Sequence, residues 1–208
     1  MTIYVTKFAF YKPSPDNPGE MPKLEYVDSL FRRRLSQVTR MTIEAVHSLG
    51  SDVQNLKLCF ASFRGEIARQ LKINKGLVED AGVLPAPFSL SVFNTPPAAT
   101  TIALKMKAGY TAIYPSEDNF SSAFIAASSS ILSGSEESVI LAYADEKIPE
   151  EYKDCAGYNE ELPLAFACVL SSKKTEDSIE VNLEGEEISK ITSSPKDFLN
   201  WLESNGNK

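Results

Sequence analysis

Two serine and carboxylate pairs come closest to a nucleophile beside a base: Ser62 with Glu66 four residues on, and Ser116 next to Glu117. A serine attacks a carbonyl only when a base takes its proton, and that base is ordinarily an imidazole. His47 is the one histidine of the chain, and it falls among the apolar positions Val46 and Leu49 of an expected amphipathic helix, which fits a structural place on a helix surface. Both serines fall at expected strand ends, where a hydroxyl usually caps a turn or a helix. They leave one enzymatic alternative, a serine-dependent acyltransferase or thioesterase acting on acyl-carrier substrates. Cys59, Cys155 and Cys168 show no CxxC spacing, and Cys59 and Cys168 lie in apolar runs, so they read as reduced core thiols. Neither a His/Cys metal set nor a carboxylate calcium loop can be assembled, so no metal is expected. The GxSxG elbow, GxGxxG and the P-loop pattern are all missing from the sequence.

The chemistry is sparse, but the distribution of charge is informative. Between Ala81 and Ser135 only four of 55 side chains are charged, Lys105, Lys107, Glu117 and Asp118, against 45 in the remaining 153 residues. Prolines 85, 87, 96, 97 and 115 interrupt this stretch, so it is not a membrane span. It reads as core, or as core plus a partner surface. Residues 1–144 carry 13 acids and 14 bases, whereas residues 145–208 carry 15 and 7, for a net charge of −7 overall. An acidic chain without a basic stripe argues against nucleic acid. The beginning, MTIYVTKFAF, lacks the basic start and cleavage site of a secretory leader, and the reduced cysteines agree with a cytoplasmic location.

The elements follow from periodicity. Residues 2–10 alternate as a strand, and PSPDNPGEMP is a loop. From Ser29 to Gly50, apolar residues at Leu30, Phe31, Leu35, Val38, Met41, Ala45, Val46 and Leu49 predict one amphipathic helix stopped by Gly50. LKLCFAS (56–62) predicts a buried strand leading into a second helix at Phe63 to Glu66. FSLSVF (88–93) reads as a strand or turn, TTIALKM as a short helix, and GYTAIYPS (109–116) as a strand. Phe120 to Leu132, with only Ser and Ala between its large apolar residues, predicts a helix enclosed on most sides. Strands follow at 139–145, 164–171 and 179–184, and a last helix starts at a Ser194 cap with Pro195 in its first position. Alternating strands and helices predict an α/β fold with a largely parallel sheet and an antiparallel edge.

Four segments, RRRLSQVTRM (32–41), CFASFRGEIARQL (59–71), PFSLSVFNTPPAA (87–99) and SVILAYADEKIPEEY (138–152), occur in an order and at distances that carry a family resemblance. The chain resembles the ketoacyl-synthase-like N-terminal family, which includes shortened, chain-length-factor-like partners of ketosynthases in aryl-polyene or related pigment clusters. The resemblance implies a thiolase-like half at 1–152, a mostly parallel five-stranded sheet with helices on both faces. An acidic extension at 153–208, packed on the same domain, adds the C-terminal strands and helix. It also implies that the turn after the third strand carries the nucleophilic cysteine of active ketosynthases. Here that position falls on Glu117, flanked by Ser116 and Asp118, and the histidines of a second thiolase half have no counterpart. Two departures stand out: SVFN (91–94) replaces a usual SVHN, and Ala98 and Ala99 stand where a glycine is often found.

The implied role is a non-catalytic subunit paired with a ketosynthase in type II polyketide or fatty-acid-like biosynthesis. Family pairing runs through the third strand, which nominates Ala108, Tyr110, Ala112, Tyr114, Ser116, Asn119 and Phe120 for the interface, and Phe93, Asn94 and Phe124 for an acyl tunnel or pocket. No cofactor is expected beyond phosphopantetheine carried by a partner acyl carrier protein. A homodimeric scaffold for carrier proteins is the further alternative, with Arg32, Arg33 and Arg34 as the basic face.

Overall fold

The computed structural model describes residues 1–80, 82–115, 119–155 and 162–206. One mixed sheet organises them, with strand order β3-β2-β4-β5-β1-β6. The strands are β1 (Thr2–Tyr11), β2 (Lys57–Ala61), β3 (Tyr110–Ile113), β4 (Ser138–Asp145), β5 (Leu164–Ser171) and β6 (Ile179–Asn182). β2 runs parallel to both β3 and β4, whereas β4/β5, β5/β1 and β1/β6 are antiparallel. The α/β expectation holds, but the sheet has six strands, and antiparallel strand pairs outnumber parallel ones. The reason is that β5 inserts between β4 and β1. Residues past 153 therefore supply an interior strand, and β4 and β5 read as continuous apolar runs because both of their faces are covered.

Strand alternation sorts the core into two layers. Leu58, Phe60, Ile140, Ala142, Ala165 and Ala167 face α2 (Gln37–His47), which buries Val38, Met41, Ala45 and Val46 against them, and α5 (Thr95–Ala103) packs beside α2. On the opposite face, Cys59, Ala61, Leu141, Tyr143, Phe166, Cys168 and Leu170 meet α6 (Phe120–Leu132) and α8 (Pro195–Asn205). Phe198 of α8 joins Phe120, Phe124 and Phe166 at ring separations of 5.4 to 5.7 Å. Offset and edge contacts of this kind favour aromatic packing beyond area alone.

Several local expectations change. The helix foreseen over 29–50 is two, α1 (Ser29–Arg32) and α2, because Ser36 accepts a hydrogen bond from the Thr39 amide at 3.2 Å and restarts the helix. FSLSVF is not a strand: α3 (Ile67–Asp80) is followed by α4 (Pro85–Ser89), a short helix whose prolines occupy the first turn, where their missing N–H groups cost nothing. Helix α5 begins at Thr95, earlier than foreseen, with Pro96 and Pro97 in its first turn. A short helix α7 (Glu186–Ile191) precedes α8, whose Ser194 cap and Pro195 stand as expected. Helix α6 is covered on one face only. Its outer face carries Ile125, Ala126, Ser129 and Leu132, all exposed and uncharged.

Candidate functional site

In α/β sheets functional groups gather beyond the carboxyl ends of the strands. The parallel strands β2, β3 and β4 all end on the same side of this sheet, and the ends of β2 and β4 are joined by a knot of buried carboxylates. β2 stops at Ala61 because Ser62 turns the chain: its Oγ accepts from the amides of Gly65 at 2.7 Å and Arg64 at 3.2 Å, and donates to Asp145 Oδ1 at 2.5 Å. Gly65 sits at φ +54, and an added Cβ would lie 2.9 Å from the Phe93 ring, so both backbone and packing select glycine. Asp145, the last residue of β4, also accepts from the Phe63 and Arg64 amides at 3.2 and 3.1 Å and from the Tyr143 hydroxyl, with the Arg64 guanidinium 3.6 Å away. Burial pushes the Asp145 carboxyl up, against the opposing pull of Ser62, Tyr143 and Arg64.

The next two carboxylates tie helix ends together. Glu66, fully buried before α3, accepts from Ser36 Oγ at 2.7 Å, Thr39 Oγ1 at 2.6 Å and Arg69 Nε at 2.9 Å. Glu146 accepts from the amide of Ala68 at 3.0 Å and, more loosely, from that of Val38 at 3.4 Å. One carboxylate thus bridges the first turns of α2 and α3, where unpaired N–H groups and both helix dipoles favour a negative charge. Desolvation outweighs that attraction. It raises the Glu146 pKa to about 7, and the neighbouring Glu66 adds to the rise while the two amides and Arg69 oppose it.

An open cleft of about 1220 Å³ borders this knot. Phe63, Arg64, Tyr114, Tyr143 and Asp145 line its sheet side, and Ile148, Tyr152 and Leu199 line the other. Lys12, Glu146 and Lys196 also line it, so aromatic and aliphatic walls alternate with charged groups, a mixed lining of the kind small-molecule sites use to bury and orient a ligand.

The residues singled out by sequence fall into three groups. Ala108, Tyr110, Ala112 and Tyr114 lie on or beside β3, which forms an edge of the sheet, and Asn119 is exposed at the α6 cap, its Oδ1 accepting from the Ser121 amide at 2.9 Å. Phe120 departs from the interface expectation: α6 directs it at the sheet, and its ring is enclosed by Tyr143, Phe166 and Phe198. Phe124 is likewise core, Asn94 donates to the Tyr110 hydroxyl at 3.1 Å, and Phe93 packs edge-on against Tyr114. None of these last three lines the cleft, although Phe93 supports the tyrosine that does. Ser116, Glu117 and Asp118 lie outside the described residues.

The remaining candidates have structural partners. Ser62 is fully buried and bonded to Asp145, while Glu66 has different partners, so that pair is not a nucleophile and its base. His47 is exposed and stacks on Tyr26 at 3.6 Å. Arg32 donates to the Lys23 and Leu24 carbonyls, leaving Arg33 and Arg34 exposed. Burial raises the thiols of Cys59 and Cys168. Among the described residues no group of three His, Cys, Asp or Glu side chains is arranged for a metal ion. The carboxylate knot escaped sequence reasoning because most of its contacts join residues 27 to 108 apart, and the hints were Glu66 beside Ser62 and a pair of acids ending an apolar strand.

The sequence matches the family described as beta-ketoacyl synthase, N-terminal domain, over residues 11–202. The chain belongs to that family. No protein of curated function matches it. Among solved structures, a chain of the ketosynthase ApeO in complex with its chain length factor ApeC, from Xenorhabdus doucetiae, is 21% identical with a TM-score of 0.70, the match covering 83% of this chain and 80% of that one. The ishigamide ketosynthase/chain length factor is 12% identical with a TM-score of 0.53 over 85% of this chain and 64% of that one. A beta-ketoacyl synthase from Burkholderia phymatum STM815 is 12% identical with a TM-score of 0.56, over 82% and 57%. At these identities the likeness is one of fold, the thiolase-like ketosynthase fold. The chain spans less than two thirds of the last two relatives. Among the described residues no helix is long and apolar enough to cross a membrane.

Proposed function

We propose that this ketosynthase-like chain is a non-catalytic, chain-length-factor-like subunit that pairs with a ketosynthase through β3. The observation that carries the reading is the contrast between the two edges of the sheet. β6 is guarded by charge: Lys173, Lys174, Glu176, Asp177, Glu180 and Glu184 lie on it or beside it. Such guarding discourages strand addition. From Gly109 to Pro115 the β3 edge carries no charge, and Tyr114 at its end is 62% exposed. Pairing there would extend the sheet into the partner by main-chain hydrogen bonds.

The chemistry of condensation supports a silent role. A Claisen condensation needs a thiolate to hold the acyl group and donors to stabilise the enolate and oxyanion. Residues 116–119 read Ser-Glu-Asp-Asn, and no cysteine occurs between Cys59 and Cys155. A carboxylate at the acyl-holding position would repel the developing anion. In this reading the partner supplies the reacting groups, and phosphopantetheine arrives only on an acyl carrier protein. The present chain shapes the space the product grows into, in an aryl-polyene or related pigment pathway. The test is condensation by purified components. The chain alone, given acyl and malonyl thioesters of a carrier protein, should form no product, and adding it to a ketosynthase from the same organism should change product length. Two-carbon elongation by the chain alone refutes the proposal.

A further inference from the structure

We infer that the pair α3–α4 is a second docking arm for the ketosynthase partner, continuous with the β3 edge. This rests on the pairing proposed above and extends it to a surface that β3 itself does not include. Three observations converge on it.

The first is apolar surface with nothing over it. Val78 is 86% exposed, Leu84 74% and Phe88 57%, with Leu77 and Val92 also exposed, and no residue of α4 is buried. Single exposed apolar side chains are ordinary, but five within sixteen residues, on α3, on α4 and directly flanking α4, are a concentration of the kind found at interaction surfaces. The second is continuity. Gln70 of α3 donates to the Ser91 carbonyl at 3.1 Å, which fixes the turn after α4 against α3. Phe93, at the end of that turn, packs on Tyr114 with ring centroids 6.1 Å apart. The apolar surface therefore runs from the end of β3 through Phe93 and Val92 to Phe88 and Leu84.

The third is size. β3 has four residues, a strand about 13 Å long. A specific and stable interface buries on the order of 800 Å² on each partner. So short an edge provides a few hydrogen bonds and a fraction of that area, and the remainder must come from surface next to it. The uncharged side chains leading away from Tyr114 are the surface available, and a partner that lays its own strand on β3 is brought against them.

Exposure also makes the arm testable, since changes at these side chains leave the core intact. Leu84→Ser and Phe88→Ser, separately and together, should keep the circular dichroism and melting temperature of the parent while raising the dissociation constant for a ketosynthase from the same organism at least tenfold for the pair. Glu180→Lys, on the opposite sheet edge, should leave it unchanged. Amide deuterium exchange of the unmodified complex gives a second readout, with slowed exchange expected over residues 77–92. Unaltered affinity of the double variant together with unaltered exchange at 77–92, in a complex the parent does form, overturns the arm and leaves the pairing intact. Failure of the parent chain to bind refutes the pairing itself. Self-association that the double variant abolishes, without ketosynthase binding, assigns the arm to a second copy of this chain and overturns the choice of partner.

Discussion

Glu146→Gln isolates the cost of holding a buried charge between two helix ends. The carboxyl is buried, and its pKa rises from an ordinary 4.5 to about 7. At about 1.4 kcal/mol per pKa unit, keeping it ionised in the native state costs about 3 kcal/mol. Because the folded protein holds this proton more tightly than the unfolded chain, stability from this group is complete below pH 4.5, falls as pH rises, and is lost above pH 7. Glutamine keeps the shape and the acceptor for the Ala68 amide but turns a donor toward Val38, losing a contact that is already long at 3.4 Å. That loss is worth about 1 kcal/mol. The variant should therefore be more stable than the parent by about 2 kcal/mol at pH 8, and no more stable at pH 4.5. Trp201, the only tryptophan, stacks on Phe198 with ring centroids 5.9 Å apart and reports urea unfolding by fluorescence. Equal stability differences between the two proteins from pH 4.5 to 8 would show that the carboxylate is already solvated or fully compensated by the two helix ends, and the desolvation reasoning would fail.

Three other perturbations address separate parts of the structure. The Leu58 amide donates to the Gly109 carbonyl at 3.1 Å, so the Thr111 amide faces β2 and those of Tyr110 and Ala112 face outward. Ala112→Pro should weaken ketosynthase binding at least tenfold in a titration while changing the melting temperature little, and undiminished binding would remove β3 from the interface. Phe198→Ala opens a cavity among Phe120, Phe124 and Phe166, and chemical denaturation should register a loss of about 3 to 5 kcal/mol. Ser62→Ala strips a hydrogen bond from a buried carboxylate and should cost about 1 to 3 kcal/mol. Parent and variant should be equally inert to a phosphonofluoridate, and labelling of Ser62 in the parent would revive the serine-hydrolase alternative.

The parts of this fold that could be read from sequence are those governed by local pattern. Val139 to Asp145 and Leu164 to Ser171 declared themselves as buried strands through unbroken apolar runs, and the Ser194-Pro195 pair announced α8. The break at Ser36 was hidden because the apolar spacing continues across it in phase. FSLSVF reads as a strand or turn because a short charge-free segment has no period of its own; the turn is there from Leu90 on, but Phe88 and Ser89 end α4, whose first turn holds Pro85 and Pro87. The insertion of β5 between β4 and β1, which makes the sheet more antiparallel than foreseen, is a long-range choice that local pattern does not encode. The same holds for Glu66, Asp145 and Glu146. In the sequence Glu66 stands out only as a base for Ser62, and Asp145 and Glu146 read as ordinary acids, because the helix ends and the turn around them come from the fold. The uncharged edge strand β3 is legible in the sequence, since its lack of charge is a local property, whereas nothing in the segment of Phe120 says which side of α6 meets the sheet.

Co-expression of this chain with a ketosynthase from the same organism, followed by size-exclusion chromatography with light scattering, probes the pairing with the least inference. Docking through β3 predicts a single species with the summed mass of one copy of each chain, stable at micromolar concentration. Two separately eluting proteins, each at its own mass, would contradict it.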